Sequence, residues 1–277
     1  MKNFLSISKS NTFSSLCIGK FDGVHLAHQT IFSKLVQKNS LILVIFKGEE
    51  RFSLTPNPQE FTSFPVYFLQ FEVIKDMGDS EFASFLLSIL PCLRKIVVGY
   101  DFLFGKNRAY TPKDLQKFFD VEIVPEVCLD GEPIHTRNII YALKNGKIER
   151  ANAMLGRTYS ISGEVVRGQG LGSTELFPTL NLSVSGYILP QNGVYATLSE
   201  IKGRKYKSVS FLGHRLSTDG VFAVETHLIG ELVQVPPKKL TIHFIHKLRN
   251  NQKFDTLSKL QLQIQEDIRN AYLFLNF

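Results

Sequence analysis

The chain is poor in the residues that build disulfide scaffolds, zinc knuckles and membrane spans. Tryptophan is absent from the 277 residues, and cysteine and methionine occur three times each. Cys17, Cys92 and Cys128 are far apart, odd in number and form no CxxC pair. That pattern excludes a disulfide framework and a cysteine zinc site, and it fits reduced thiols in a cytoplasmic protein. Long apolar runs are missing too. The longest, "LILVIF" at 41–46, falls far short of the ~20 residues that cross a bilayer. The opening "MKNFLSISKSNTFSSLCIGKF" lacks the unbroken apolar segment of a signal peptide. There is no block of Lys and Arg, no low-complexity linker and no internal repeat.

What the chain has is apolar bulk and a positive balance. Hydrophobic residues make up 44%, with 23 Phe, and the formal charge is +7. The length and apolar content suit two packed cores. The charge suits anionic partners such as nucleic acid, a membrane surface or small phosphorylated molecules. It equally suits a solvated basic surface. Charge alone supports an RNA-binding module, but the basic residues are dispersed, so neither a nucleic-acid nor a membrane partner is expected.

The first half alternates strand-like and helix-like pieces. "LCIGKF", "LILVIF", "RKIVVGYDF" and "VEIVPEV" read as strands, the apolar ones covered on both faces. "HLAHQTIFSKLVQKN", "SEFASFLLSIL" and "IIYALKNGKIERANAML" read as helices. In the first of them, Leu26, Ile31 and Leu35 can share a stripe. "TPKDLQKFF" begins a helix with Thr111 as N-cap and Pro112 at its first position. Repeated β-then-α predicts a parallel, doubly wound sheet, with ligands at the carboxyl ends of its strands.

Near Leu155 the pattern changes. "YSISGEVVRG", "GVYATLSE", "YKSVSFLG", "VFAVETHLIG", "ELVQVP" and "KLTIHFIH" alternate over short stretches separated by turn residues. They predict a small antiparallel β-barrel. The closing "TLSKLQLQIQEDIRNAYLFL" returns to helix, with Leu257, Leu260, Ile264, Ile268 and Leu275 as its packing stripe. The expected organisation is α/β plus β, with domains at 1–156 and 157–277.

"GKFDGVHLAHQ", residues 19–29, places two histidines three apart after a strand and a glycine turn. Such a turn leaves backbone N–H groups at a helix N-terminus, where an anion is favoured. Gly19 and Gly23 permit close approach of a ligand. His25 and His28 share one helical face, and both can donate to phosphate oxygens and stabilise charge on a leaving group. Metal ligation and a purely structural pairing are the other readings of the same residues. The HExxH spacing of a zinc protease is absent.

The same string resembles the GxFDGVHxGHQ signature of the bacterial bifunctional riboflavin kinase/FAD synthetases. "VVGYDFLFGKNR" resembles that family's second signature, and "LKNGKIERANAMLGRTYSISGEVVRG" resembles the junction of its two catalytic domains. "FPTLNL" is similar to the flavokinase PTAN motif, "VETHLIG" to the strand of the catalytic glutamate, and "LRNNQKFDTLSKLQLQIQEDI" to the closing segment. The motifs follow in the family's order over nearly the whole chain.

The resemblance implies a Rossmann-like nucleotidyltransferase domain followed by a flavokinase barrel and a C-terminal helix. It implies two reactions. ATP phosphorylates riboflavin to FMN, and a second ATP adenylylates FMN to FAD. Mg²⁺ would be needed for both, with flavins and ATP as the partners of a monomer or weak homo-oligomer. His25 and His28 would act on the adenylyl transfer. Gly19, Asp22, Gly23, Thr136 and Arg137 would meet ATP in the first domain, and Gly168, Gly170, Thr179 and Asn181 would do so in the second. Thr179 and Asn181 offer oxygens suited to a hard cation. Asp101, Phe102, Phe104 and Arg249 would face flavin, the phenylalanines as an apolar wall.

Glu225 would be the kinase base. A carboxylate amid an apolar strand is costly unless it has a partner or a task, and burial makes it a better proton acceptor. Alternation puts Ala223, Glu225 and His227 on one face.

Four positions depart from the family pattern. Ala27 replaces a glycine of HxGH. "FKGEERF" stands where TFDPHP is usual. "HTRNII" stands where SSTxIR is usual, with Ile140 at the arginine position. Leu176 stands before "FPT" where a glycine is expected. The departure at Ile140 motivates a second expectation, a kinase with a weakened or lost adenylyltransferase site.

Overall fold

The computed structural model describes residues 2–7, 12–35, 38–48, 52–167, 177–217, 219–231 and 235–275. Its first half runs β1 (Lys2–Asn3), β2 (Ser15–Gly19), α1 (Leu26–Phe32), β3 (Ser40–Phe46), β4 (Val66–Gln70), α2 (Phe71–Ile74), α3 (Asp79–Ile89), β5 (Lys95–Gly99), α4 (Pro112–Leu115) and β6 (Asp120–Val124). A hairpin of β7 (Cys128–Leu129) and β8 (Glu132–Pro133) follows. The second half begins with α5 (Thr136–Lys144) and α6 (Ile148–Leu155), then β9 (Ser160–Val166), β10 (Leu180–Ser183), β11 (Gly193–Ile201), β12 (Arg204–His214), β13 (Phe222–Leu228), β14 (Lys239–Asn250) and α7 (Leu257–Leu275).

Two units emerge, Met1–Thr136 and Arg137–Phe277. In the first, six parallel strands lie in the order β1-β4-β3-β2-β5-β6. The chain winds outward one way from β2 through β3 and β4, then returns to β5 and winds the other way. The order reverses between β2 and β5, so their carboxyl ends flank the crevice where such sheets take ligands. Both strands end in glycine, Gly19 and Gly99.

The continuous apolar runs have a simple cause. Side chains alternate between faces, and both faces are covered. Leu16, Ile18, Leu41, Leu43, Ile96 and Val98 pack with Phe82, Ala83 and Leu86 of α3. Cys17, Ile42, Val44 and Val97 pack with Ile31, Phe32 and Leu35 on the opposite side. Leu26 stands partly exposed outside that stripe.

The second unit is a closed barrel in the order β10-β13-β12-β11-β14-β9. Its strand pairs are antiparallel. Val194, Ala196 and Val209 on the outer wall pack with Ala271 and Leu275 of α7. Inside, Thr197, Ser199, Ser208, Ser210 and Thr226 are buried. Their hydroxyls bond one another at 2.8–3.0 Å. Each polar group finds its partner within the network, which is the condition for burying it.

Several expectations need adjustment. The single helix read over "IIYALKNGKIERANAML" is two, α5 and α6, because Gly146 at φ +70° breaks the helical path. The Thr111-Pro112 start is as expected, with Asp114 accepting from Thr111 N and Oγ1 at 2.9 and 3.0 Å. That helix nevertheless ends at Leu115. No strand covers the described part of "ELVQVP", whose residues 232–234 lie outside the described set. In α7 the packing stripe is Asp267, Ile268, Ala271 and Leu275, while Leu257 is exposed. The division of the chain at Thr136/Arg137 precedes the change of pattern at Leu155. Asn152 of α6 explains part of this: it donates to Phe244 O at 2.9 Å and accepts from Tyr159 N at 2.7 Å, tying α6 to the barrel.

Candidate active sites

The β2–α1 turn is held in unusual backbone geometry. Phe21, Gly23 and Val24 have φ of +49°, +91° and +41°. For a β-branched residue this is an outlier, costing on the order of 1–3 kcal/mol. Burial of Phe21 and Val24 in the core beside α1 holds the strain in place.

His25 is the N-cap of α1 and only 3% exposed. Its ring stacks on that of His28 at 3.5 Å and 22°. The edge of Phe21 meets His28 at 5.2 Å and Phe32 at 5.0 Å. The expected shared face therefore exists, and it sits at the sheet's switch point. His28, less buried than His25, is the more accessible ring.

The glycines serve the turn differently from one another. A Cβ on Gly19 would stand 3.0 Å from the Phe21 ring. Gly19 therefore admits Phe21, and the open approach expected there is filled by that ring. Gly23 supplies a positive φ.

Asp22 and Thr136 brace the turn rather than standing free for phosphate. Asp22 Oδ1 accepts from Ser53 Oγ, Leu54 N and Thr55 N at 2.6, 2.9 and 3.2 Å. Thr136 Oγ1 donates to Asp22 O at 2.9 Å. Arg137 is exposed in the first turn of α5.

Beyond Gly99, Asp101 is exposed and Phe102 half-buried. Phe104 is a core residue, packed at 5.1 Å from Phe82 and 5.4 Å from Tyr110. Its ring faces are thus already occupied, which leaves Phe102 as the better placed of the two for an apolar ligand. At the same strand ends Tyr100 donates to Glu126 at 2.5 Å, and its oxygen lies 3.3 Å from His135 Nε2. Sequence reading did not foresee this cluster, because its members come from three separate segments.

In the barrel, Asn181 of β10 pairs directly with Glu225 of β13. Directly opposed residues place their side chains on one face, with Cβ atoms about 4.5–5.5 Å apart. Thr226, the next residue, turns inward to the hydroxyl network, so Glu225 points out of the barrel wall. Alternation had placed these two on opposite faces, and the barrel keeps them so. Thr179 is exposed just before β10. His227 Nδ1 donates to Pro178 O at 2.8 Å, tying the segment before Thr179 to β13.

Hydroxyl and amide oxygens beside a carboxylate form a donor set that suits a hard, oxygen-seeking cation. Glu225 is held by Arg215, whose Nη1 lies 3.1 Å from Oε1. Burial pushes its pKa above the ordinary carboxylate value, and Arg215 pulls against that rise. Gly168, Gly170 and Leu176 lie outside the described residues.

Arg249 differs from expectation. Its Nε and Nη2 bind both oxygens of Asp267 at 2.8–3.1 Å, and Nη1 donates to Asn250 O. The guanidinium thus locks α7 to β14. Asp267 is buried, and a buried carboxylate requires such a partner. Arg215 and Asp267 were both missed, since a turn arginine and a helix aspartate read in sequence as solvated charge.

Comparison with known proteins finds relatives over nearly the whole chain. The riboflavin kinase family model (Flavokinase) matches residues 155–275. A bifunctional riboflavin kinase/FMN adenylyltransferase of Haemophilus influenzae is 31% identical, covering 95% of this chain and 94% of that protein. The one from Buchnera aphidicola of Acyrthosiphon pisum is also 31% identical, covering 98% and 96%. In fold, the chain is similar to a solved structure from Streptococcus pneumoniae titled a macrolide-efflux protein. The TM-score is 0.85 at 23% identity, over 100% of this chain and 98% of the other. At that identity the likeness concerns architecture alone.

Proposed function

The chain belongs to the bifunctional riboflavin kinase/FMN adenylyltransferase family, and we propose that its two units divide the two reactions between them. It is a transferase that phosphorylates riboflavin to FMN and adenylylates FMN to FAD, with ATP as donor each time. The relatives match through both halves of the chain, which favours the two-activity reading over a kinase alone.

The barrel carries the kinase, and the pairing of Asn181 with Glu225 is the observation that supports it most directly. Glu225 takes the proton of the ribityl terminal hydroxyl as its oxygen attacks the γ-phosphorus of ATP. The new O–P bond gives FMN, and the bond to the β-phosphate breaks to give ADP. Thr179 and Asn181 would hold Mg²⁺ and the ATP phosphates beside Glu225. The metal, when bound, offsets charge on the transferring phosphoryl group. We assign the kinase to residues 157–277 and the adenylyltransferase to 1–156, so that α5 and α6 go with the first domain in sequence although they group with the barrel.

In the first domain, the β2–α1 turn and the end of β5 seat ATP and FMN. His28, with His25 stacked behind it, donates to the phosphate chain while the FMN phosphate attacks the α-phosphorus and pyrophosphate leaves. Asp22 and Thr136 act by fixing the turn. Asp101 and Phe102 border the flavin. Arg249 braces α7, and its contribution to flavin binding is indirect. We place the protein in the cytoplasm. No described helix is long and apolar enough to cross a membrane.

The test is direct. The full chain with riboflavin, ATP and Mg²⁺ should yield FMN and then FAD by chromatography. With FMN supplied instead, FAD and pyrophosphate should form in equal amounts. Absence of both flavin products overturns the reading.

A further inference from the structure

We propose that Arg215 is a positioning residue for the kinase base, and that Asp219 sets the aim of Arg215. The proposal rests on the reading of Glu225 as that base. Arg215 stands just past β12, at the entry to the turn that leads into β13. Its Nε and Nη2 meet Asp219 Oδ1 and Oδ2 at 3.1 and 2.9 Å, a two-pronged grip that fixes the plane of the guanidinium. The remaining nitrogen, Nη1, is then aimed at Glu225 Oε1.

The backbone keeps this geometry. Arg215 N donates to Val221 O at 3.0 Å, and Gly220 N donates to Arg215 O at 3.1 Å. Asp219 Oδ1 also accepts from Val221 N at 3.0 Å. Arg215 and Glu225 are 17% and 19% exposed in their side chains, so their attraction is less screened than that of a surface pair.

The consequence for the reaction lies in orientation. Arg215 pins one oxygen of Glu225 and leaves Oε2, which has no bond among the described residues, to receive the substrate proton. Among the described residues, the charges that act on Glu225 are those of Arg215 and Asp219. Arg215 and Asp219 come from the turn. The uncharged Asn181 lies opposite on β10 and Phe211 opposite on β12. His227 is two residues along on the same face.

Arg215→Met should lower the kcat of FMN formation by about tenfold or more while the riboflavin KM changes little, because the carboxylate stays in place but loses its orientation. Asp219→Asn should lower kcat in the same way but less, because the guanidinium keeps its bond to Glu225 and loses its grip. In the Arg215→Met background Asp219→Asn should cost almost nothing further, since the two act through one contact. Arg215→Lys should restore only part of kcat.

All are assayed in the full chain alongside FAD formation from FMN, which should stay at the wild-type rate and so report a folded protein. A wild-type kcat in Arg215→Met, a fall in kcat matched by an equal rise in KM, or fully additive losses in the double variant overturn the proposal. Glu225→Gln is run in parallel. Wild-type turnover in that variant would remove the assignment of the base itself, whatever Arg215 does.

Discussion

Asn181 and Glu225 face each other across the β10–β13 ladder, on the outer wall of the barrel. Asn181 is also paired with Val166, the last residue of β9. The short strand β10 thus places an amide between Glu225 and the end of β9.

Glu225→Gln should cut the kcat of FMN formation by roughly 10²–10⁴-fold, the usual worth of a general base. The amide keeps size and polarity but cannot take a proton. FAD formation from supplied FMN should be unchanged, and single-substrate assays of each step check both.

His28→Ala should lower FAD formation by roughly 10²–10³-fold, the range for losing one donor to developing charge. FMN formation should stay intact. Equal loss of both activities would show that the stacked pair supports folding alone, the structural reading open from the sequence.

Arg249→Met should destabilise the protein by about 3 kcal/mol, as when one partner of a buried ion pair is removed. Among the described residues, Asp267 would then keep only its weaker bond from Gln263 at 3.2 Å. Thermal melting reads the loss. Replacing both residues by apolar ones of similar volume should recover much of it. Measured below the melting range, the riboflavin KM of Arg249→Met should change little.

Thr226→Val should cost about 1–2 kcal/mol, because Ser199 and Ser210 each lose a partner in a site closed to water. The shape is nearly kept, so a loss of this size in denaturant unfolding isolates the hydroxyl.

His243 gives the pH dependence of stability. Burial lowers its pKa, while Glu200, 2.9 Å from Nε2, acts to raise it. The unfolded chain then binds the proton more readily than the folded one. The contribution to stability is complete above the unfolded value of about 6.5 and is lost as pH falls through it toward the folded value. His243→Gln should flatten that slope, read as melting temperature against pH.

The parallel sheet, the barrel and the histidine turn were legible because each leaves a local mark. Apolar runs of strand length, short alternating segments and a glycine-flanked bend are written in consecutive residues. The same holds for Glu225, an acid out of place in an apolar strand. The role of Asp22 was not legible. Its carboxylate is spent on residues 53–55, and a loop contact over that separation has no sequence period. Phe104 was ambiguous for a related reason: a phenylalanine after a strand looks alike whether its faces meet a ligand or Phe82 and Tyr110.

The sequence by itself determined the order of the main strands and helices and the change from α/β to β, because periodicity and turn chemistry act between near neighbours. Only the tertiary structure decided which charges are paired. Arg215 aims at Glu225 through Asp219, and Arg249 closes on Asp267, because barrel closure and the docking of α7 bring them within hydrogen-bond range. Electrostatic attraction in a partly desolvated site depends on distance in space, and the chain's linear order carries no measure of it.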